Sequence, residues 1–173
     1  RDPRNVITSL SNHYQINKKD ALIFMRSEKK AIVEKKAGRY LGFNALFSWS
    51  SHQKSWTECK KFPILTIRYE DLENTTYSTF KDIFNFVKKI SGIKKMFDKE
   101  KAKKVIRTCK FENLQHLEKT KGFNEAVLKK GSKEKIKFFN MGKKNDYRKL
   151  LSNKLIKEMN IIYKDQLKKY NYE

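Results

Sequence analysis

The sequence predicts an α/β fold, a parallel sheet with flanking helices, whose first part lies ahead of residue 1. Three observations carry that expectation. The chain opens Arg1-Asp2-Pro3-Arg4-Asn5-Val6, a charged segment that runs straight into helical spacing with no apolar strand before it. One short apolar run, Ile64-Leu65-Thr66-Ile67, follows Pro63 and has the length and β-branched content of a buried strand. The other periodic segments read as helix, and one strand is too few for a complete α/β sheet. At 173 residues the chain has the size of one domain, expected to span 1–173, and can bury a core.

The first helix is expected from Pro3 to about Ile16. Proline suits a first helical position, where its missing N–H would have no intrahelical partner. An arginine just ahead of a helix N-terminus adds positive charge to backbone donors already suited to an anion, so Arg1 and Ser9 are candidates to grip one phosphate. A second helix is expected over Lys18 to Val33, with Leu22, Met25 and Lys29 at helical spacing and Gly38 ending the region. A third, from about Leu41 to Cys59, carries Leu46, Trp49 and Trp56 among polar residues; the two tryptophans lie seven apart and should share a packing face.

Beyond the strand, Asn74 and Thr75 are good N-caps for a helix with Tyr77, Phe80, Phe84 and Val87 on one face, stopped by Gly92. Helices from about Asp98 to Thr108 and from about Phe111 to Lys119 follow. Residues 120–149, with Gly122, Gly131, Gly142 and many lysines, read as a long, mobile, basic loop. Ser152 caps a last helix to about Lys169, with Leu155, Met159, Ile162 and Tyr163 facing inward.

The chain carries 41 Lys+Arg against 19 Asp+Glu, a formal net charge of +22. Such a balance points to polyanions. Here the excess is mostly lysine, spread along the whole length beside abundant Asn and Ile, and we read it mainly as composition. A basic nucleic-acid-binding domain is the alternative, supported by the charge and by Phe138, Phe139 and Tyr147 within the lysine-rich loop, but no RNA or DNA motif accompanies them. Cys59 and Cys109 lie far apart without a CxxC or a histidine at metal-ligand spacing, which predicts two free thiols and no metal. His13, His52 and His116 lack a paired Asp or Cys and read as surface or packing residues. Glu70 and Asp71, adjacent at the strand end, diverge and read as structural. No apolar run approaches the roughly 20 residues that span a bilayer.

Five segments in order carry a resemblance. They are Arg1-Asp2-Pro3-Arg4-Asn5-Val6 with Ser9; Ser48-Trp49-Ser50-Ser51-His52-Gln53-Lys54-Ser55-Trp56; Ile67-Arg68-Tyr69-Glu70-Asp71-Leu72; Thr108-Cys109-Lys110-Phe111-Glu112-Asn113-Leu114; and Phe138-Phe139-Asn140-Met141-Gly142-Lys143-Lys144-Asn145-Asp146-Tyr147. Together they resemble the sulfotransferases that use 3'-phosphoadenylyl sulfate, the cytosolic type most closely. The resemblance covers nearly the whole chain and about the C-terminal two-thirds of a typical member. It implies a P-loop-like sulfotransferase fold and transfer of a sulfuryl group to a hydroxyl or amine of a small-molecule or glycan acceptor. It also implies 3'-phosphoadenylyl sulfate as co-substrate, no metal, no specific nucleic acid, and a cytoplasmic location.

Residue by residue, the resemblance assigns Arg1 and Ser9 to the 3'-phosphate, and Tyr69, Cys109 and Phe111 to the adenine. Cys109 stands where many members have a hydroxyl, and thiol is the poorer donor, with Thr108 the neighbouring substitute. Asn140, Met141 and Gly142 stand at the phosphate-clamping segment, but Asn140 and Met141 replace an Arg-Lys pair. Lys143 and Lys144, among nine basic residues from Lys129 to Lys149, are the candidates to compensate. Asn5 replaces an Asp and is expected to affect local capping. The family's phosphosulfate loop and catalytic histidine precede the Arg-Asp-Pro segment, so the catalytic residue is expected upstream of Arg1 and residues 1–173 alone are expected to be inactive. The family's dimer motif would fall on Arg148 to Lys157, where Arg148 and Ser152 match passably and Asn153 and Lys157 do not, which leaves the oligomeric state open.

Overall fold

The computed structural model describes residues 1–36 and 39–173, with the backbone alone over 34–36 and 39–41. Its contacts divide the chain into two units: Asp2–Ile64 with Tyr147–Glu173, and Leu65–Asp146 with Arg1.

In the first of these units, Asp2 starts α1 (Pro3–Tyr14) by accepting the Arg4 N–H on its side chain. The same carboxylate pairs with the Arg4 guanidinium, Nη2 to Oδ2 2.7 Å and Nε to Oδ1 3.0 Å, with both side chains under a tenth exposed. Arg4 also donates to Asn160 Oδ1 at 2.9 Å and to the Tyr172 carbonyl, and lies over the Tyr147 ring, 4.2 Å from its centroid. One guanidinium thereby ties α1 to α8 (Tyr147–Leu150), α9 (Asn153–Ile162) and the C-terminal residues. Asn5 adds a bond, its Oδ1 accepting the Tyr147 N–H at 2.9 Å, so the Asn at this position does fix a local backbone end.

The core of this unit forms around Ile7 of α1, Leu22 and Met25 of α2 (Lys18–Arg26), and Leu155, Met159 and Tyr163 near α9. Asn17 caps α2 through the Asp20 N–H. Ser152 caps α9 through the Leu155 N–H, as expected, and the final helical stretch breaks at Tyr163 before α10 (Lys164–Lys169).

Three expectations are corrected here. The helix expected over Lys18 to Val33 stops at Arg26, where Ser27 turns extended, and Ala31–Lys36 forms β1. The helix expected from Leu41 begins later: Arg39–Ala45 is β2, antiparallel to β1, pairing Ala31 with Ala45 and Val33 with Phe43. The physical reason is the β-branched pair Ile32-Val33 facing an aromatic strand, which fits a ladder better than a helix. Gly38, expected to end the second helix, lies outside the described residues. Helix α3 is Trp49–Thr57, capped by the Ser48 hydroxyl. Trp49 meets Tyr163 edge-on at 5.4 Å, while Trp56 is 54% exposed against His52 and Phe62, so only the first tryptophan reaches the core.

The other unit corrects the strand. Residues 63–68 carry no strand, and Leu65 is 37% exposed. An apolar, β-branched run becomes a strand only where a neighbour completes its ladder, and among the described residues the one sheet is the antiparallel pair β1-β2. The expected parallel sheet is therefore not found among them. Glu70 and Asp71 sit in the first turn of α4 (Tyr69–Asn74) rather than at a strand end, where negative charge suits the helix N-terminus.

Helix α5 (Thr76–Ser91) follows, ended by Gly92 in the left-handed region at φ 67°. Its Tyr77, Phe80 and Phe84 surround Phe97 at ring separations of 5.2–6.2 Å, the amphipathic face the spacing predicts. Asp98 caps α6 (Lys99–Thr108), and α7 is Phe111–Lys121. The segment 120–149 holds local order: Leu128 bridges Lys135, and Gly142–Lys144 is a 3₁₀ turn. Among the described residues no helix is long and apolar enough to cross a membrane.

Two outcomes test this packing. Arg4→Ala leaves the Asp2 carboxylate buried beside a lost partner and should lower the stability by about 3 kcal/mol in urea denaturation. Tyr163 is 1% exposed and its hydroxyl has no hydrogen-bond partner among the described residues. Tyr163→Phe should stabilise by about 1 kcal/mol. Burial pushes the Tyr163 phenol up to about 12, against a smaller opposing effect of Arg26. Because the folded value lies above the unfolded one, Tyr163 leaves the wild-type stability undiminished below about pH 10 and lowers it as pH rises towards 12. Tyr163→Phe should lose less stability than wild type over that window.

Candidate functional site

In the unit formed by Arg1 and Leu65–Asp146, the site starts at α4. Tyr69 is its first residue, preceded by Arg68, whose guanidinium pairs with Asp71 through bonds of 2.8 and 2.6 Å. That pair holds the helix start and accounts for Asp71 titrating below the usual carboxylate range. One turn on, Glu73 accepts the Tyr69 hydroxyl at Oε1, 3.0 Å away. Burial first, and then this carboxylate, push the Tyr69 phenol above its ordinary value. The Arg1 guanidinium lies over the Tyr69 ring, 4.1 Å from its centroid, and its Nη2 donates to the Gly142 carbonyl at 3.4 Å.

Gly142 is reached through an anchored segment. Helix α7 accepts the Phe138 and Phe139 N–H groups on the two Glu118 oxygens, at 2.6 and 3.0 Å. Gln115, one turn earlier, donates to the carbonyls of Phe139 and Asn140 at 2.8 and 3.2 Å. Phe138 and Phe139 pack on Phe123, and Phe139 meets Phe111 edge-on at 6.4 Å. The 3₁₀ turn then places Gly142 directly against the Phe111 ring: a Cβ on residue 142 would stand 2.9 Å from three ring carbons. Gly142 also has φ 52°, in the region that favours glycine.

Of the residues singled out in the sequence, Arg1, Tyr69, Phe111 and Gly142 thus converge in one unit. Met141 is half-buried before the turn, and Asn140 is exposed. Cys109 is an exposed free thiol at the C-cap of α6, and the neighbouring Thr108 hydroxyl donates to the Lys104 carbonyl at 2.9 Å. Ser9 is exposed on α1, in the other unit. Lys143 pairs with Glu73 Oε2 at 3.4 Å. Sequence reasoning missed Glu73, Gln115 and Glu118. The first is four residues after Tyr69 and the other two are three apart on α7, so helical spacing was the signal that could have found them.

A guanidinium, two aromatic rings and a glycine backbone in one place make an arrangement suited to a phosphorylated, planar ligand. The comparison with family models agrees in class: the chain matches the sulfotransferase domain over residues 1–171. It belongs to the sulfotransferase domain family, whose chemistry is sulfuryl transfer and whose fold is P-loop-like α/β. No curated protein and no solved structure matches the chain significantly.

Gly142→Ala should strain both the backbone and the Phe111 contact. We expect a loss of about 1–2 kcal/mol and faster hydrogen exchange at the Asn145 amide, which donates to the Gly142 carbonyl at 3.2 Å. Combined with Phe111→Ala, the steric part should disappear, so the two losses should add to less than their sum.

Proposed function

We propose that this protein moves a sulfuryl group from 3'-phosphoadenylyl sulfate to a hydroxyl or amine of a small-molecule or glycan acceptor, and that these residues hold the nucleotide end of the donor. The single observation that carries the reading is the convergence of Arg1, Tyr69, Phe111 and Gly142 within a chain of this family. The donor supplies the activated sulfuryl group, and the residues named here bind and orient the nucleotide.

Arg1 carries a permanent charge, and a phosphate oxygen gains more from a guanidinium than the Gly142 carbonyl does. The 3'-phosphate therefore takes the place of that carbonyl contact. Phe111 offers a ring face to the purine. Gly142 packs against Phe111 where a Cβ would stand, and the backbone N–H groups of its 3₁₀ turn are the further donors a phosphate would use. Asn140 and Met141 bring backbone but no charge; Lys144 supplies charge within the same turn, beside Lys143, which is paired with Glu73. The Thr108 hydroxyl is already committed to Lys104, so the Cys109 thiol remains the assigned, weak donor to the adenine edge. No catalytic residue is assigned within 1–173.

Calorimetry tests the reading. The protein should bind 3',5'-adenosine bisphosphate roughly tenfold or more tightly than 5'-AMP, the worth of a charge-assisted contact to the extra phosphate. Arg1→Ala should cost about 1.5–3 kcal/mol of bisphosphate binding and leave 5'-AMP binding nearly unchanged. Equal affinity for the two nucleotides would remove the 3'-phosphate site.

A further inference from the structure

We propose that Glu73 is a positioning residue that clasps two parts of the nucleotide site, holding Tyr69 with one carboxylate oxygen and the Gly142–Lys144 turn with the other; the inference rests on the reading above. Its Oε1 accepts the Tyr69 hydroxyl at 3.0 Å, and its Oε2 faces the Lys143 ammonium at 3.4 Å. The Lys143 ammonium also reaches the Glu73 backbone carbonyl at 3.4 Å. Tyr69 carries Arg1 on its ring at 4.1 Å, and Arg1 returns to the turn through the Gly142 carbonyl at 3.4 Å. The contacts close a ring: Arg1, Tyr69, Glu73, Lys143, Gly142 and back to Arg1.

Two features make this more than a surface ion pair. The Glu73 side chain is 23% exposed while Lys143 is 70% exposed, so the carboxylate is the fixed member and the lysine comes to it. Each oxygen has a different partner, one in α4 and one some 70 residues later in the chain. Removing the carboxylate would release both at once. The clasp also commits the Tyr69 hydroxyl proton to Glu73, so a bound adenine meets Tyr69 as a hydrogen-bond acceptor and as the platform under Arg1.

The test follows two signals in the whole protein, wild type against the near-isosteric Glu73→Gln, Glu73→Ala, and Tyr69→Phe with and without Glu73→Ala. The first is the Tyr69 ring carbon beside its hydroxyl, followed by NMR against pH. Burial first, then Glu73 and Glu70, raise the Tyr69 value and Arg1 opposes them, so Glu73→Gln should lower it by removing the nearest negative charge. The second is 3',5'-adenosine bisphosphate affinity. Glu73→Ala should weaken it roughly fivefold to tenfold, and in the Tyr69→Phe background the loss should shrink, since half the clasp is already gone. A Tyr69 titration unchanged in Glu73→Gln overturns the clasp, and so does a Glu73→Ala affinity within twofold of wild type. If wild type binds no bisphosphate but Glu73→Gln still lowers the Tyr69 value, the nucleotide reading fails while the Glu73–Tyr69 contact stands.

Discussion

Within its unit, the contact on which the candidate site depends is that of Arg1 with the Tyr69 ring and the Gly142 carbonyl. It joins residues 141 apart in sequence. A guanidinium suits this role because its flat, weakly hydrated surface can stack on a phenol ring while an edge N–H still reaches a carbonyl. Lysine, a compact and strongly hydrated point charge, would do one or the other. The position of Arg1 in turn depends on what fixes its two supports. Tyr69 is fixed by the helix start that Arg68 and Asp71 hold, and Gly142 by the close approach of Phe111.

That approach explains why α7 matters beyond its own length. Glu118 and Gln115 spend their side chains on backbone groups of residues 138–140, satisfying N–H and C=O groups that a loop would otherwise leave to water. A helix thereby dictates the path of a glycine-containing segment, and the Phe123–Phe138–Phe139 cluster covers the junction. The same division of labour appears in the other unit, where Arg4 rather than a loop anchor ties separate elements together through Asp2, Asn160 and Tyr172.

The sequence made the helices legible where a start signal or an amphipathic face stood out: Pro3 in the first turn of α1, the row of aromatics up to Gly92 in α5, and Ser152 before α9, whereas Thr75 opens α5 without the side-chain cap bond expected of it. It misled where only apolar content was available. Ile32 and Val33 fit a helical period and a strand equally well, and their pairing with β2 is a long-range fact that local spacing does not carry. Ile64–Ile67 shows the converse, a strand composition without a ladder to join. At the site, Arg1, Tyr69, Phe111 and Gly142 were legible because motif order preserves them. Glu73, Gln115 and Glu118 were not, since each acts on backbone or on another side chain, and any surface helix carries Glu and Gln at such spacing.

Under the proposed function, an adenine nucleotide seats its base on Phe111 with its phosphate at Arg1. The most direct measurement is an NMR titration of the protein with 3',5'-adenosine bisphosphate, using labelled phenylalanine rings and arginine guanidinium nitrogens. Intermolecular Overhauser contacts are expected from the adenine H2 or H8 protons to the Phe111 ring, together with a shift of the Arg1 Nε resonance that saturates at the same ligand concentration. Adenine contacts to other aromatic rings, with Arg1 unmoved at saturation, would contradict it.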